Sequence, residues 1–531
     1  MKKRVMAIIL VVAMLTISGC GSKMSEPYDM VTEEAPVAEE PEAEEVYAEE
    51  MEAEEESIWE VEESEYEIDE EIWYDEEEEY QSGESYLEID KNRAIDVASR
   101  DTITTSLKVD TASYTNVARY IEWGEFPPIN AVRTEEFLNY FSYESAMNDK
   151  QGPFYTSVEV GKSPYNSEKQ MAFIRVKTDE IDKEELPPSN LTFLIDTSGS
   201  MDSYDKLPLL KEAFTLLVEM LDEDDRVSIV TYAGSSEVVL KGANGGDKSK
   251  IIRAINKLGA GGSTNGEGGI KSAYKLAEKN FIEDGNNRII LATDGDFNVG
   301  VDSERGLENL ITEKRKSGID LSILGFGMGN LKDSKMETLA KHGNGNYSYI
   351  NTLKDANKVL VEEMGSTLFT VASDVKAQVE FNSDSVKSYR LMGYENRVMD
   401  NKDFENDKKD AGEIGAGTDV VMMFELEMFE EIEDVQELFK LRIRYKEPGK
   451  SKSKEITKSA YQDDMTKKPS KDFRFACAVV GFASLLRESE TMGDLDVRQI
   501  REIAMDNLGE DKSNYRREFV NLIDEYSECE W

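Results

Sequence analysis

Histidine and cysteine are both scarce in this chain of 531 residues. The one histidine, His342, excludes metal sites built from clustered histidines and leaves any His-based catalytic triad dependent on a single residue. The three cysteines stand at positions 20, 477 and 529, which does not indicate a disulfide framework. Any metal site in this chain must therefore use other ligands.

Basic residues are missing from one long stretch. Residues 24–82 contain 28 Asp or Glu and no Lys or Arg, and the whole chain has a formal net charge of −48. Nucleic acid is not an expected partner, because phosphate binding needs clustered Lys and Arg. The stretch is rich in Glu, Ala, Pro and Ser, and it cannot bury enough apolar surface to offset its ordering entropy. We therefore predict a disordered acidic tether over residues 20–82, with a reach of roughly 200 Å at ~3.4 Å per residue.

Aromatic residues recur within the acidic stretch and leave two interpretations of it open. In the first, the segment is a solvated spacer that lifts the folded domains off the membrane. In the second, its aromatic side chains are docking points for a basic partner. These residues are Tyr28, Tyr47, Trp59, Tyr66, Trp73, Tyr74 and Tyr80.

Long apolar runs are also lacking, apart from one near the start. Residues 5–17 form an apolar run that follows Lys2, Lys3 and Arg4 and precedes Ser18-Gly19-Cys20. The run is too short for an ordinary membrane-spanning helix, and its flanks are typical of an export signal over residues 1–19. The order resembles the lipobox of bacterial lipoproteins, which implies lipidation of Cys20; the alternative is an ordinary signal peptide with an incidental cysteine. We expect a lipid anchor as the sole membrane attachment, on the extracytoplasmic face of the cell membrane.

The chain is too long for one hydrophobic core, and residues 187–372 alternate between strand and helix patterns. This alternation predicts an α/β domain with a doubly wound, mostly parallel, Rossmann-like sheet, in which ligands bind beyond the carboxyl ends of the strands. The predicted strands are 191–195, 227–232, 236–240, 288–293, 321–325 and 347–350. The predicted helices are 206–221, 251–258, 269–281, 305–317, 336–342 and 355–368. The helix 336–342 should end at a left-handed Gly343.

The flanks have a different pattern. Residues 83–186 predict an N-terminal accessory segment of helices followed by strands, and residues 373–463 predict a β-rich accessory domain. Residues 464–531 predict a helical C-terminal region. Strand-like runs on both sides of the central domain indicate that this domain is inserted into the β-rich one.

Three loops at the carboxyl ends of the predicted strands carry oxygen ligands. The first is Asp196-Thr-Ser198-Gly-Ser200, the second holds Thr264 in a glycine-rich turn, and the third begins with Asp294. Two carboxylates with hydroxyls and water suit a hard cation, so we predict Mg²⁺ or Mn²⁺ as the cofactor. Because only two of these ligands are carboxylates, an external carboxylate could fill a remaining position on the cation.

At these residues the sequence resembles the von Willebrand factor type A domain. The metal-ion-dependent adhesion site of that family has the pattern D-x-S-x-S, then a threonine, then an aspartate. Asp196, Ser198 and Ser200 match the first element, Thr264 the second and Asp294 the third. The resemblance implies that the first four residues surround the metal, directly or through water. It places Asp294 either on the metal or behind its direct ligands.

Further segments resemble the YfbK-type bacterial lipoproteins, over roughly residues 108–531. That subfamily carries an additional C-terminal domain with no assigned chemistry. The segments that carry the resemblance are 110–114, 127–128, 135–140, 325–327, 343–347, 393–397 and 410–415.

The expected function is non-enzymatic binding at the cell surface, in which the metal bridges to an Asp or Glu of a protein partner. A metal-dependent hydrolase is one alternative, but only Glu267 and Asp296 lie near the loops as proton acceptors. An envelope-assembly scaffold that does not use the metal is another. We expect His342 to end a helix and Cys477 to fill the core, rather than to act chemically.

Overall fold

The structure is a computed structural model, and it describes residues 83–181, 185–264, 266–295, 304–430, 436–488 and 496–529. The predicted signal peptide, Cys20 and the whole acidic tether lie outside the described residues, as does Asp296. Within the described ranges, no helix is both long enough and apolar enough to cross a bilayer.

Six strands form the central sheet, and five of them run parallel, as the alternating pattern predicts. Ser189–Asp196 lies in the middle and is buried along its whole length. The largely apolar run over residues 191–195 follows from this position, because both faces of a parallel sheet are covered. Only Ser236–Asn244, at one edge, is antiparallel to its neighbour. In spatial order the strands are Asn344–Ile350, Asp320–Phe326, Asn286–Thr293, Ser189–Asp196, Arg226–Tyr232 and Ser236–Asn244.

Helices cover both faces of the central sheet, which confirms the doubly wound α/β class. On one face Phe193 stacks on Phe214 with ring centroids 4.3 Å apart. The next residue along the strand, Leu194, packs on the opposite face with Ile270 and Leu291. The helices are Leu207–Glu219, Lys248–Asn256, Gly266–Lys279, Glu304–Lys314, Asp333–His342, Leu353–Asn357 and Met364–Leu368.

The last helical stretch differs from the single helix predicted over 355–368. It begins at Leu353, and a π-helical turn over Lys358–Glu362 separates its two α-helical parts. Lys358 is buried within this turn, where its ammonium pairs with Glu363 at 2.6 Å and lies over the ring of Tyr515 at 4.4 Å. A buried lysine of this kind depends on residues from other parts of the chain, so local periodicity could not indicate the irregular turn.

The helix that ends at His342 also terminates differently from the prediction. Gly343 has a φ of −94°, and the left-handed residue is Asn344, with a φ of 54°. Gly343 is instead required by close packing, because a Cβ there would lie 2.6 Å from the Cβ of Leu321. Asn tolerates the left-handed conformation better than most residues.

Two further sheets pack face to face. The inner sheet joins strands from both sides of the central domain, since Gln170–Thr178 pairs with Asp419–Met428. The central domain is therefore inserted between them, as predicted. The inner sheet contains Ile95–Asp96, Val386–Met392, Asp419–Met428, Gln170–Thr178, Phe154–Lys162, Met465–Thr466 and Asp149–Gln151. The outer sheet contains Val398–Met399, Thr102–Ser106, Thr370–Phe381, Glu437–Lys446, Ser453–Tyr461 and Gly412–Gly415.

The inner sheet is covered on both faces. Val420 and Met422 face the outer sheet, whereas Val421 and Met423 face a layer of helices. This double burial explains why the strand reads as a nearly unbroken apolar run. The helices of that layer are Ala112–Glu122, Thr134–Tyr140, Lys471–Leu486, Val497–Asp506 and Tyr515–Glu528.

A buried group of charged residues, which we call the arginine cluster, connects the accessory parts to the central domain. It consists of Asp110, Arg133, Glu136, Asp333 and Arg397, each at most 6% exposed. Arg133 pairs with Glu136 at 2.6 Å and with Asp333 at 2.7 Å, and Arg397 pairs with Asp110 at 2.7 Å. Because Asp333 begins a helix of the central domain, the cluster fixes that helix against the N-terminal segment.

Candidate metal site

The first loop of the site continues directly from the middle strand of the central sheet. Asp196 is fully buried at the end of that strand; its Oδ1 accepts the N–H of Ser198 at 2.9 Å and its Oδ2 accepts the hydroxyl of Thr293 at 3.1 Å. The hydroxyl oxygens of Ser198 and Ser200 lie 3.1 Å apart. Asp196, Ser198 and Ser200 are therefore brought together, as the two-residue spacing predicts.

Backbone hydrogen bonds attach the second loop to the first. The N–H of Gly261 donates to Thr197 O at 2.8 Å, and the N–H of Gly199 donates to Gly262 O at 3.1 Å. Gly262 has a φ of +87°, which favours glycine at this turn. These bonds place the half-buried Thr264 on a loop that is fixed against the first one.

The third loop follows the neighbouring parallel strand, Asn286–Thr293. Asp294 is fully buried, and its carboxylate accepts a hydrogen bond from the hydroxyl of Ser200, which connects the third loop to the first. Gly295 has a φ of +93°, and a Cβ there would lie 2.4 Å from the backbone nitrogen of Lys332. The absence of a side chain at Gly295 therefore lets the loop that carries Asp294 pass close to the loop that carries Lys332.

The two carboxylates differ in their electrostatic surroundings. Burial raises the pKa of Asp196 to about 6, and the nearby charge of Asp294 adds to this effect. Burial would also raise the pKa of Asp294. The hydrogen bond from Asn330 and the charge of Lys206 outweigh it, so this pKa lies below its ordinary value. Asp294 is therefore held charged by neighbouring side chains, whereas Asp196 is held mainly by neutral donors.

Two residues that the structure places at the site were not predicted from the sequence. The ammonium of Lys206 lies 3.1 Å from Asp294 Oδ2, and the side-chain amide of Asn330 donates to the same oxygen at 3.0 Å. One signal for Lys206 was present, because a positive charge is disfavoured at a helix N-terminus and Lys206 immediately precedes Leu207–Glu219. Asn330 follows the glycine-rich turn after the strand Asp320–Phe326, and no local pattern indicated its role.

The donor set fits a hard divalent cation. It offers carboxylate oxygens from Asp196 and Asp294 and hydroxyl oxygens from Ser198, Ser200 and Thr264, the ligand types that Mg²⁺ and Mn²⁺ prefer. The ammonium of Lys206 already places one positive charge beside Asp294. In the described part of the chain, no three His, Cys, Asp or Glu side chains converge as a metal cluster.

The remaining residues considered from the sequence lie in ordinary structural surroundings. Glu267, in the first turn of Gly266–Lys279, pairs with Lys271. His342 ends its helix, as predicted, and its Nδ1 lies 3.1 Å from the hydroxyl of Thr312. Cys477 is fully buried among apolar side chains, and burial raises the pKa of its thiol well above the usual range.

The fold and the arrangement of the three loops define a von Willebrand factor type A domain. The sequence profile of that domain matches residues 190–363, and a profile described as von Willebrand factor matches residues 80–172. A third profile, described as the C-terminal part of the uncharacterized protein YfbK, matches residues 366–529. Protein interaction and divalent-metal binding are common in the von Willebrand factor type A family.

Proteins of other organisms resemble this chain to different extents. The chain is 42% identical to the uncharacterized protein YfbK of Escherichia coli K12 over 83% of this chain and 80% of that protein. The chain therefore belongs to the YfbK family. It is also 26% identical to inter-alpha-trypsin inhibitor heavy chain H3 of Mesocricetus auratus, over 46% of this chain and 29% of that one. A solved von Willebrand factor type A structure from Catenulispora acidiphila aligns with a TM-score of 0.41 at 15% identity, over 71% of this chain and 91% of that one.

Proposed function

We propose that this protein is a lipid-anchored surface protein that binds a protein partner through a divalent metal, without enzymatic activity. The metal, Mg²⁺ or Mn²⁺, would be held by Asp196, Ser198, Ser200, Thr264 and Asp294. The partner would supply an Asp or Glu that completes the coordination. Cys20 would carry the lipid that attaches the chain to the extracytoplasmic face of the cell membrane.

The observation that carries this proposal is the contrast between the buried base of the site and its exposed rim. Asp196 and Asp294 are fully buried, whereas Ser200, Gly262 and Ser263 are exposed. A cation held at the base would therefore meet solvent on the side of the rim, where a partner's carboxylate can approach. Tyr204 follows the first loop in the chain and is 71% exposed, so this segment also presents apolar surface to a partner.

The direct test compares partner capture from envelope extracts with Mg²⁺ and with EDTA, for the wild type and for Asp294→Ala. We expect capture only by the wild type in Mg²⁺, because the bridge requires both the cation and its ligand. Asp224→Ala is the matched control, since Asp224 is an exposed carboxylate in the loop before Arg226–Tyr232. Equal capture by wild type and Asp294→Ala, with and without EDTA, would contradict the bridge and favour a scaffold that uses other surfaces. Cross-linking on intact cells would then identify the partner.

The anchor is tested separately. Replacing Cys20 by Ala should release the protein from membranes or leave it as an unprocessed precursor. Mass spectrometry of the mature N-terminus should detect acyl chains on Cys20 in the wild type. A mature N-terminus without acyl chains would contradict lipid anchoring.

The absence of enzymatic activity is tested with a hydrolase screen in the presence of Mg²⁺ and Mn²⁺. We expect no turnover above that of Asp196→Ala. Metal-dependent hydrolysis by the wild type that this variant loses would instead establish the alternative, a metal-dependent hydrolase.

A further inference from the structure

The side chain of Lys206 reaches the base of the site through a space that a glycine keeps open. Gly327 has a φ of +72°, and a Cβ there would lie 2.2 to 2.7 Å from Cε, Cγ and Cδ of Lys206. Lys206 is only 7% exposed. The fold therefore provides a buried path for this lysine, which a flexible surface lysine would not need.

The end of that path fixes the ammonium against one carboxylate. Lys206 Nζ lies 3.1 Å from Asp294 Oδ2 and donates to Asn330 Oδ1 at 2.9 Å. Asn330 in turn donates to the same oxygen of Asp294 at 3.0 Å. Each of the three side chains thus contacts the other two, and the ammonium is held beside Asp294.

The loop that contains Asn330 is braced by the first described residues of the chain. The N–H of Gly329 donates to Glu84 Oε1 at 2.7 Å, and the N–H of Ser85 donates to Leu331 O at 2.9 Å. Glu84 is itself paired with the buried Arg119 at 2.8 Å. This bracing limits movement of Asn330 and so keeps Lys206 in place.

Asp196, the other carboxylate of the site, has no such partner. Within the ranges that the structure describes, no Lys or Arg forms an ion pair with it, and neutral donors such as the N–H of Ser198 and the hydroxyl of Thr293 contact it. The two carboxylates and the ammonium together carry one net negative charge. A divalent cation changes this sum to +1, whereas a site without the lysine would become neutral.

We propose that Lys206 sets the charge of the metal site, so that the loaded site remains positive and selects a carboxylate ligand. This proposal rests on the metal bridge proposed above and adds the residue that determines its anion preference. The lysine has two opposite effects on binding. It weakens the site for the cation by repulsion, and it strengthens the loaded site for an anion by attraction.

The test uses the full-length protein and two neutral variants, Lys206→Met, which retains a long apolar side chain against Gly327, and Lys206→Gln, which can still hydrogen-bond to Asp294. Mn²⁺ affinity is measured by electron paramagnetic resonance. Binding of acetate to the Mn²⁺-loaded protein is measured by water proton relaxation. Lys211→Met is the matched control, because it removes the same charge from the helix that Lys206 immediately precedes, where Lys211 donates to the backbone carbonyl of Leu258.

We expect both neutral variants to bind Mn²⁺ about tenfold more tightly than the wild type and to bind acetate several-fold more weakly once loaded. Lys211→Met should resemble the wild type in both measurements. Thermal unfolding in EDTA shows whether each variant folds. If Lys206→Met does not fold, the two binding measurements on Lys206→Gln test the proposal.

Unchanged or weaker Mn²⁺ binding in a folded neutral variant would overturn the role of Lys206 and leave the proposed function intact. Tighter Mn²⁺ binding with unchanged acetate binding would overturn the selection of a carboxylate. Failure of the wild type itself to bind Mn²⁺ would instead overturn the proposed function and, with it, this inference.

Discussion

The arginine cluster and the candidate metal site both bury carboxylates, but they balance the charge in different ways. In the arginine cluster, Arg133 and Arg397 form direct ion pairs with their acidic neighbours. In the metal site, hydroxyls and backbone N–H groups hold Asp196, and one lysine faces Asp294. Each carboxylate of the arginine cluster has an ion-pair partner within the chain. Among the described residues Asp196 has none, which leaves a place for an external cation.

The comparison separates a structural role from a binding role among residues of the same type. A buried carboxylate with a bidentate arginine partner has little to gain from a ligand. A buried carboxylate held by neutral donors remains costly until a cation arrives. Burial of a carboxylate alone therefore does not mark a functional site. Whether its partner is a charged or a neutral group separates a structural role from a binding role.

The largest effect is expected from breaking the arginine cluster. Arg133→Ala would leave Glu136 and Asp333 buried without their guanidinium, so we expect a loss of about 3–5 kcal/mol in the free energy of unfolding. Denaturant unfolding in EDTA measures it. Lys316→Ala is the control, since its pair with Glu313 is exposed and should contribute little. Equal stabilities of the two variants would show that the cluster is not a structural connection.

The next largest expected effect is the pH dependence of stability when the site holds no metal. Burial raises the pKa of Asp196 to about 6 from 3.8, so between these values the folded state binds more protons than the unfolded state. The contribution of Asp196 to stability should therefore fall as pH rises from about 4 to about 6, by up to about 3 kcal/mol. The measurement is the difference in unfolding free energy between wild type and Asp196→Asn in EDTA. A difference that stays constant across this pH range would contradict the raised pKa.

A comparable effect is expected from adding metal. At a free Mg²⁺ or Mn²⁺ concentration 100 times Kd, binding to the folded state should contribute about 2.7 kcal/mol to stability. Asp196→Ala should abolish this gain while its metal-free form stays folded, whereas Arg133→Ala should retain it if it folds. Thermal unfolding with and without metal tests both variants. A full metal response in Asp196→Ala would show that the cation binds elsewhere.

The smallest effect is expected at a surface ion pair that belongs neither to the arginine cluster nor to the metal site. Glu267 pairs with Lys271 one helical turn away, on the surface of the helix that follows the second loop. Glu267→Ala should change the free energy of unfolding by no more than about 0.5 kcal/mol and leave Mn²⁺ affinity unchanged. Calorimetric titration with Mn²⁺ checks this. A large loss of metal binding would include Glu267 in the site.

Much of the fold was predictable, because each element carries its own local signal. The apolar run before Asp196 predicts a buried parallel strand, and the strand lies in the middle of the sheet. The predicted helical C-terminal region contains the helices Lys471–Leu486, Val497–Asp506 and Tyr515–Glu528. The packing of the C-terminal helices was not predictable, since helices with similar apolar faces can cover a sheet in several ways. The structure packs them against the inner sheet through a shared core.

The sequence by itself determined the three loops of the candidate metal site and the ligand side chains that these loops carry. The spacing of Asp196, Ser198 and Ser200 and the position of Asp294 after a strand are local features, and parallel strands bring such loops to one edge. Only the tertiary structure decided the charge around them. Lys206 and Asp294 are 88 residues apart and Arg133 and Asp333 are 200 apart, so each pairing depends on how distant elements pack. Whether a buried carboxylate meets an arginine, a lysine or a hydroxyl is settled by that packing, because the partner comes from another part of the chain.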